Sequence, residues 1–423
     1  MILGCIADDV TGATDLSLML SKNGMRVLQI MGEPSGDVPS DSDAIVIALK
    51  TRTAPVKTAV TKSVESAQWL KEAGAGQFFF KYCSTFDSTE EGNIGPVSEA
   101  LLDFLNSTFT VVCPAFPENG RTVYMGHLFI NSELLSESSM KDHPLTPMRD
   151  SNLIRFLGKQ CRDVNSVGLI SIGTVTQGPS AISSRINELK HQGYHFAVVD
   201  AYENQHLQSV AKSCSDMKLI TGGSAIAMGL PENYRQSGIL PVQSSPIEMP
   251  KLVGPVAILS GSCSTATQEQ IKDLSERVDG IYLDSISLAK EGEKYFQALL
   301  DQVDVALSQG VVLVYSTSSA EEVEMIQASL GKKRAEEQIE EAFRRLAGHL
   351  QNRSVQNYIV AGGETSAVIA ESLNVRQIYI GPEIDPGVPW TVCYENEQPL
   401  LLAFKSGNFG KSDFFTHAME ILM

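Results

Sequence analysis

Short apolar runs rich in Val, Ile and Phe recur along the chain, each separated from the next by a longer amphipathic stretch. The first series comprises Ile2–Ala7, Arg26–Ile30, Ala44–Ala48, Gln77–Lys81 and Phe109–Cys113, with helices predicted to start near Gly12, Val56 and Ile94. Strands near Val167–Ile172, His195–Val199 and Met217–Ile220 follow, with helices near Ser180 and Leu207. Strands apolar on both faces and separated by helices build a parallel α/β sheet. The stretch "GLPENYRQSGILPVQSSPIEMPKLVGP" breaks the rhythm with five prolines and little periodicity, and reads as an interdomain connection. The pattern then restarts with strands at Val256–Ser260, Gly280–Leu283, Val311–Tyr315, Asn357–Ala361 and Val375–Ile380, and helices near Thr265–Val278, Lys294–Ser308 and Lys333–Leu350. The expectation is an α/β protein of two domains with mainly parallel sheets, 1–235 and 250–423. No internal sequence repeat is visible.

Bulk properties narrow the function. A formal charge of -17 opposes nonspecific binding of nucleic acid or of an anionic membrane. The seven cysteines stand singly, with no CxxC pair, as reduced core thiols do. His191 and His195 in "HQGYH" could share a metal only on a helix, and Gly193 argues against one. No leader pattern and no apolar run of about 20 residues is present. The expected setting is the cytoplasm, and the oligomeric state stays open between a monomer and a homodimer.

Ligands of open α/β sheets bind beyond the carboxyl ends of the strands, so polar clusters there carry the chemistry. "ADDVTGATD" ends the first strand with two adjacent acids, Asp8 and Asp9, where one would suffice to cap the following helix. The doubling, with Thr11, suits a hydroxyl-binding or proton-accepting site. "KYCSTFDSTEEGNIG" ends the fourth strand with Lys81, Ser84, Thr85, Asp87, Ser88 and Asn93, a set suited to a polyhydroxy acid whose carboxylate Lys81 could pair. A loop that only caps a helix remains the alternative. Arg52 and Arg121 each follow a strand end and could present a fork to a carboxylate; each could equally be a surface arginine, Arg121 in a hairpin. In the second half, "AILSGSCSTATQEQI", with Thr265 and Gln268 resembling a capping box, and "YIVAGGETSAVI" are strand–turn–helix units. Amide groups at such helix starts cradle phosphates. Neither is a GxxxxGK[ST] or GxGxxG loop. With "KSGNFG" near the C-terminus, the pair points to a nucleotide.

These motifs together resemble the four-carbon acid sugar kinases over essentially the whole chain: "ADDVTGATD", "DST" followed by "GNIG", "GR" followed by "GH", "AGGETS", "GPEIDPGVPW" and "KSGNFG". The resemblance implies an N-terminal domain for the sugar acid and a C-terminal domain for ATP, facing each other across a cleft. Threonate-type members read Asp-Ser-Thr-x-Arg-Gly-Asn, whereas Glu91 stands at the arginine position here. "KYCSTF" and "HPLTPMRDSNL" resemble the 3-oxo-tetronate branch instead. The implied reaction is ATP-dependent phosphorylation of a terminal hydroxyl, with Mg²⁺ bridging the phosphates. Gly362, Gly363, Glu364 and Thr365 would cradle phosphates, and Ser260 and Gly407 would line the same site. Asp9 would be the base, and Asp8 would hold the turn and touch substrate. Arg52, Lys81 and Arg121 would meet the substrate carboxylate, beside Ser84 and Asp87. The rivals are a D-threonate or D-erythronate kinase and a sugar-acid sensor without catalysis.

Overall fold

The computed structural model describes residues 1–34, 42–143, 145–241, 249–251, 253–317, 331–394 and 398–422. The chain divides into two units, Met1–Pro246 and Ile247–Met423. Both are α/β.

The first unit follows its apolar runs closely. Strand β1 (Leu3–Ala7) leads into helix α1 (Val10–Lys22), then β2 (Val27–Met31), β3 (Ala44–Ala48), α2 (Val56–Glu72), β4 (Gln77–Lys81), α3 (Ile94–Phe104) and β5 (Thr110–Cys113). A small antiparallel sheet intervenes, β6 (Arg121–Tyr124), β7 (His127–Ile130) and β8 (Glu133–Leu134). The series resumes with α4 (Leu153–Gln160), β9 (Val167–Ile170), α5 (Ile172–Val175), α6 (Pro179–His191), β10 (Phe196–Val199), α7 (Asn204–Ser213), β11 (Leu219–Gly222) and α8 (Leu230–Gln236). The sheet order is β2-β3-β1-β4-β11-β5-β10-β9, parallel throughout. Every residue of β1, β3 and β4 is buried, which is why β1 and β3 read as unbroken apolar runs and β4 carries Phe78–Phe80 between Gln77 and Lys81.

The second unit opens with β12 (Val256–Ser260), α9 (Thr265–Ser275), β13 (Gly280–Tyr282), α10 (Ser285–Glu291), α11 (Glu293–Ser308), β14 (Val311–Tyr315), α12 (Lys332–Asn352), β15 (Asn357–Ala361) and α13 (Gly363–Ser372). It closes with β16 (Gln377–Asp385), β17 (Val388–Cys393), β18 (Leu400–Lys405) and α14 (Phe414–Leu422). Its strand order is β13-β14-β12-β15-β18-β17-β16, with β17 antiparallel to both neighbours. The core under this sheet gathers Trp390, Phe414, Phe415 and Ile359, and the Trp390 indole N–H donates to the Ala418 carbonyl at 3.0 Å.

The two units open with one topology. The first strand goes to the centre, the second and third line up on one side, and the fourth crosses to the other side. The connections leaving β1 and β4 therefore run in opposite directions, as do those leaving β12 and β15. Each such reversal opens a crevice at the carboxyl ends of the strands. Strand ends meet there in register: Ala48, Ala7, Lys81 and Gly222 in one unit, and Tyr315, Ser260, Ala361 and Lys405 in the other.

Several expectations need correction. The proline-rich connection begins with a helix, α8, because Pro231 sits in its first turn where the missing N–H costs nothing; residues 242–248 and 252 of that stretch lie outside the described residues. The last predicted strand is longer than Val375–Ile380 and pairs in a hairpin. The hairpin offered as the alternative for Arg121 is present as β6–β7, extended by β8; strands β17 and β18 were not anticipated. The His191/His195 expectation holds: α6 ends at His191, Gly193 takes a φ of +85°, and no single helix carries both rings. Among the described residues, no helix is long and apolar enough to cross a membrane.

Candidate functional site

At the β1/β4 crevice, the two acids divide their work. Asp9 is the N-cap of α1: its Oδ1 accepts from the Gly12 N–H at 3.0 Å, and its Oδ2 accepts from the Thr11 hydroxyl at 2.8 Å. The turn is thus held by Asp9, and not by Asp8 as expected. Asp8 instead receives the fork of Arg52, Nε to Oδ2 at 2.9 Å and Nη2 to Oδ1 at 2.8 Å. The same Nη2 reaches Asp9 Oδ1 at 2.8 Å, and Nη1 lies 3.8 Å from Asp87 Oδ2. One guanidinium therefore offsets the repulsion of the neighbouring carboxylates. The main chain reinforces the arrangement, since the Asp8 carbonyl accepts from the N–H groups of Thr51 and Arg52.

Asn93 explains how the Arg52 loop stays in place. Its side-chain amide donates to the carbonyls of Thr51, Arg52 and Ala54 at 2.8, 3.2 and 2.9 Å. Read in the sequence as one polar group among several for a ligand, it is a tether. Lys81 is buried at the end of β4 and donates to the Tyr82 carbonyl at 2.8 Å. Gly12 leaves it room: a Cβ there would lie 2.3 Å from Asp9 Oδ1 and 2.9 Å from Lys81 Nζ. Gly12 therefore serves close packing inside the helix, and not the turn into it.

Electrostatics separates the two acids. Burial raises the Asp8 carboxyl above its ordinary value, against the pull of Arg52. Burial acts on Asp9 too, but Arg52 and Lys81, with the hydrogen bonds from Thr11 and Gly12, outweigh it and hold Asp9 below the usual carboxylate range. In the following turn, Thr85 donates to Asp87 at 2.5 Å, Ser84 is buried, and Phe86 takes a left-handed φ of 56°. Glu91 is exposed in the turn before α3. Arg121 opens β6 of the hairpin sheet, where its Nη1 donates to the Asn119 carbonyl.

At the β12/β15 crevice, three turns pack against each other. Gly362 caps α13 with a φ of +117°, and its N–H donates to the Lys405 carbonyl at 2.9 Å. The Gly261 N–H donates to the Ala361 carbonyl at 3.1 Å, and a Cβ on Gly261 would lie 2.2 Å from Thr365 Oγ1. A Cβ on Gly407 would lie 2.3 Å from Ser262 Oγ. A side chain at Gly261 or Gly407 would force these hydroxyls to shift, and one at Gly362 would strain the backbone. Gly363 and Glu364 are exposed at the helix start, and Thr365 is buried behind them. The predicted capping box is shifted by one residue: Ser264 is the cap, accepting from the Thr267 N–H at 3.3 Å. Ser260 is fully buried and pairs with Thr317 at 2.9 Å, which places it in the wall of this crevice.

Sequence reasoning gave no role of their own to two residues here, Lys405 within "KSGNFG" and Gln270. Lys405 ends β18 with no exposed surface, and its ammonium lies within 3.1 Å of Thr267 Oγ1 and the carbonyls of Ser406, Gly407 and Phe409. Gln270 holds the rest of that loop through the carbonyls of Phe409, Gly410 and Lys411. Lys405 opens the "KSGNFG" segment at the end of an apolar run, and the only signal of Gln270 is its place on the inward face of a helix. Among the described residues, no group of three or more His, Cys, Asp or Glu side chains is placed to hold a metal ion.

Residues 3–230 match the model of a family described as a sugar-binding N-terminal domain, and residues 257–415 match that of a nucleotide-binding C-terminal domain. Among curated relatives, the 3-oxo-tetronate kinase of Pseudomonas fluorescens is 48% identical over 99% of this chain and 96% of its own length. That of Cupriavidus necator is 47% identical, covering 100% and 97%. A solved structure from Salmonella typhimurium LT2, provisionally described as a tRNA synthase, is 40% identical with a TM-score of 0.86, covering 100% of this chain and 99% of that one. A Haemophilus influenzae protein of the family termed DUF1537 is 43% identical with a TM-score of 0.77, covering 99% and 100%. With paired acids at one crevice and glycine-lined turns at the other, the chain belongs to the four-carbon acid sugar kinase family.

Proposed function

We propose that the protein transfers the γ-phosphoryl group of ATP to the 4-hydroxyl of a four-carbon sugar acid, a 3-oxo-tetronate. The observation that carries the transfer chemistry is the Asp8–Asp9–Arg52 cluster at the β1/β4 crevice: two carboxylates and a fork at strand ends, with Lys81 buried beside them. The identity of the acid rests on the names of the full-length relatives.

Phosphoryl transfer needs positioning and charge stabilisation more than covalent work by the protein. The turns of Gly261, Gly362, Gly363 and Gly407 would receive the phosphates through main-chain N–H groups. Mg²⁺ keeps most of its ligands as phosphate oxygens and waters, so a site without a cluster of protein ligands fits it. Glu364, exposed at the start of α13, would be its protein ligand. When bound, the cation neutralises charge on the phosphates.

Two criteria bear on the base, and they divide. The raised carboxyl of Asp8 makes it the stronger base, but its side chain is only 6% exposed and clamped by Arg52, whereas that of Asp9 is 20% exposed. A base must first reach its proton, so reach decides for Asp9. Arg52 is engaged by both acids. Lys81, with one hydrogen bond to a carbonyl, is therefore the better partner for the substrate carboxylate.

An ADP-release assay over 3-oxo-tetronate, D-threonate and D-erythronate tests this reading. It predicts the highest kcat/KM for the 3-oxo acid. A preference for threonate would reassign the substrate, and absence of ADP release with every acid would return the protein to the sensor class.

A further inference from the structure

Lys405 poses a problem that the catalytic reading does not address. A buried ammonium normally has an acid beside it, because an uncompensated charge is costly to bury. Here all four neighbouring oxygens are neutral: one hydroxyl and three carbonyls. The Gly407 carbonyl is the focus, since it also accepts from Ser264 Oγ at 2.5 Å and Thr267 Oγ1 at 2.8 Å. A strand end that turns its carbonyls inward around one ammonium leaves its N–H groups facing the other way. Those of Gly407 and Asn408 find no partner among the described residues. Asn408 is exposed, and Gly407 lies against Ser262 and Ser264 at the mouth of the β12/β15 crevice.

We infer that Lys405 is a positioning residue of the nucleotide site: it ties the carbonyls of the 406–409 loop inward, so that the main-chain N–H groups of Gly407 and Asn408 are presented to a nucleotide phosphate, which serves as its missing counter-charge. The inference rests on the nucleotide-site reading above and adds two things to it, the Asn408 amide and the cation behind the loop. Burial, which lowers the Lys405 pKa to about 7, agrees with a cation that lacks an anion until ligand arrives. Phe414, whose ring centroid lies 5.9 Å from the ammonium, closes the far side.

The test is Lys405→Met in the full chain, which keeps the length of the side chain and removes its donors. Calorimetry with Mg-ADP should show affinity reduced about tenfold or more, the scale of losing hydrogen bonds to a charged group. In steady state, KM for ATP should rise by a similar factor, with kcat at saturating ATP and KM for the acid changed by less than about threefold. A general loss of fold would lower all of these together, and this split would not appear. Unchanged ADP affinity in a folded variant overturns the inference while leaving the kinase reading intact. Failure of the wild-type protein to bind ADP overturns both. If Lys405→Met does not fold, Thr267→Val takes its place, since it deletes the hydroxyl shared by Lys405 and Gly407. A weakened ADP affinity in that variant supports the inference, and wild-type affinity overturns it.

Discussion

At the scale of single residues, the doubled acid of "ADDVTGATD" is accounted for by its partners. Asp9 satisfies the helix start and Asp8 anchors Arg52, while the guanidinium touches both. Asp9→Asn keeps an oxygen for the Gly12 N–H, so the cap should survive while the base is lost. The expected fall in kcat is about 10²–10⁴-fold, with KM for ATP little changed. Asp8→Asn should release the Arg52 fork and raise KM for the acid instead. Near-full kcat in both variants would mean that the pair is structural. Gly12→Ala sets two effects against each other. Alanine gains about 1 kcal/mol of helix propensity. Its Cβ would collide with the Asp9 carboxylate, endangering a cap worth about 1 kcal/mol and adding roughly 1–3 kcal/mol of overpacking. The collision wins, so urea denaturation should show net destabilisation. A stabilised variant would show that the Asp9 contact has no weight.

At the scale of elements, legibility followed the physics of burial. Runs such as "AIVIA" at Ala44–Ala48 and "NYIVA" at Asn357–Ala361 are buried on both faces, and their strands begin and end where the apolar runs do. The hairpin β6–β8 stayed only an alternative because its strands are two to four residues long and carry Arg121, Thr122 and His127. Strands β17 and β18 were missed for another reason. A hairpin between β16 and β17 interrupts the alternation of strand and helix, and Pro389 within β17 reads as a break. That omission hid the part played by Lys405 in "KSGNFG", since a lysine after "LLLAF" is ordinary at a surface and unusual only once the strand end is buried. Gln270 and the tethering part of Asn93 stayed hidden likewise, because a side-chain amide holding three carbonyls leaves no periodic trace.

Lys405 also gives its unit a pH signature. Its folded pKa, about 7, lies below the unfolded value of about 10.4. Between the two, the unfolded chain holds a proton that the folded chain has released, so stability rises with pH across that window. Below pH 7 both states are protonated, and the folded state carries the full cost of the buried charge. The stability of wild type relative to Lys405→Met should therefore increase from pH 7 to pH 10. A difference independent of pH, measured by denaturation at each pH, would show that the ammonium is not strained by burial.

At the scale of the whole molecule, two units with the same opening topology carry different chemistry at the same place. Each places a crevice where the fourth strand crosses to the far side of the first. One crevice is lined by carboxylates and cations, the other by glycine turns and hydroxyls. Fold class could be read from strand and helix periods alone. The division of labour was read from the motifs at the strand ends, but the pairing of side chains within each crevice could not be, because it depends on which strand ends come into register. The net charge of -17 opposes a polyanionic macromolecule as substrate and leaves room for a small anion at the buried lysines.

The most direct measurement is phosphorus-31 NMR of the reaction of the purified protein with Mg-ATP and a 3-oxo-tetronate. Stoichiometric ADP should appear together with a phosphate monoester coupled to the two C4 protons of the acid. ATP left intact, or an ester formed at another oxygen, would contradict the assignment.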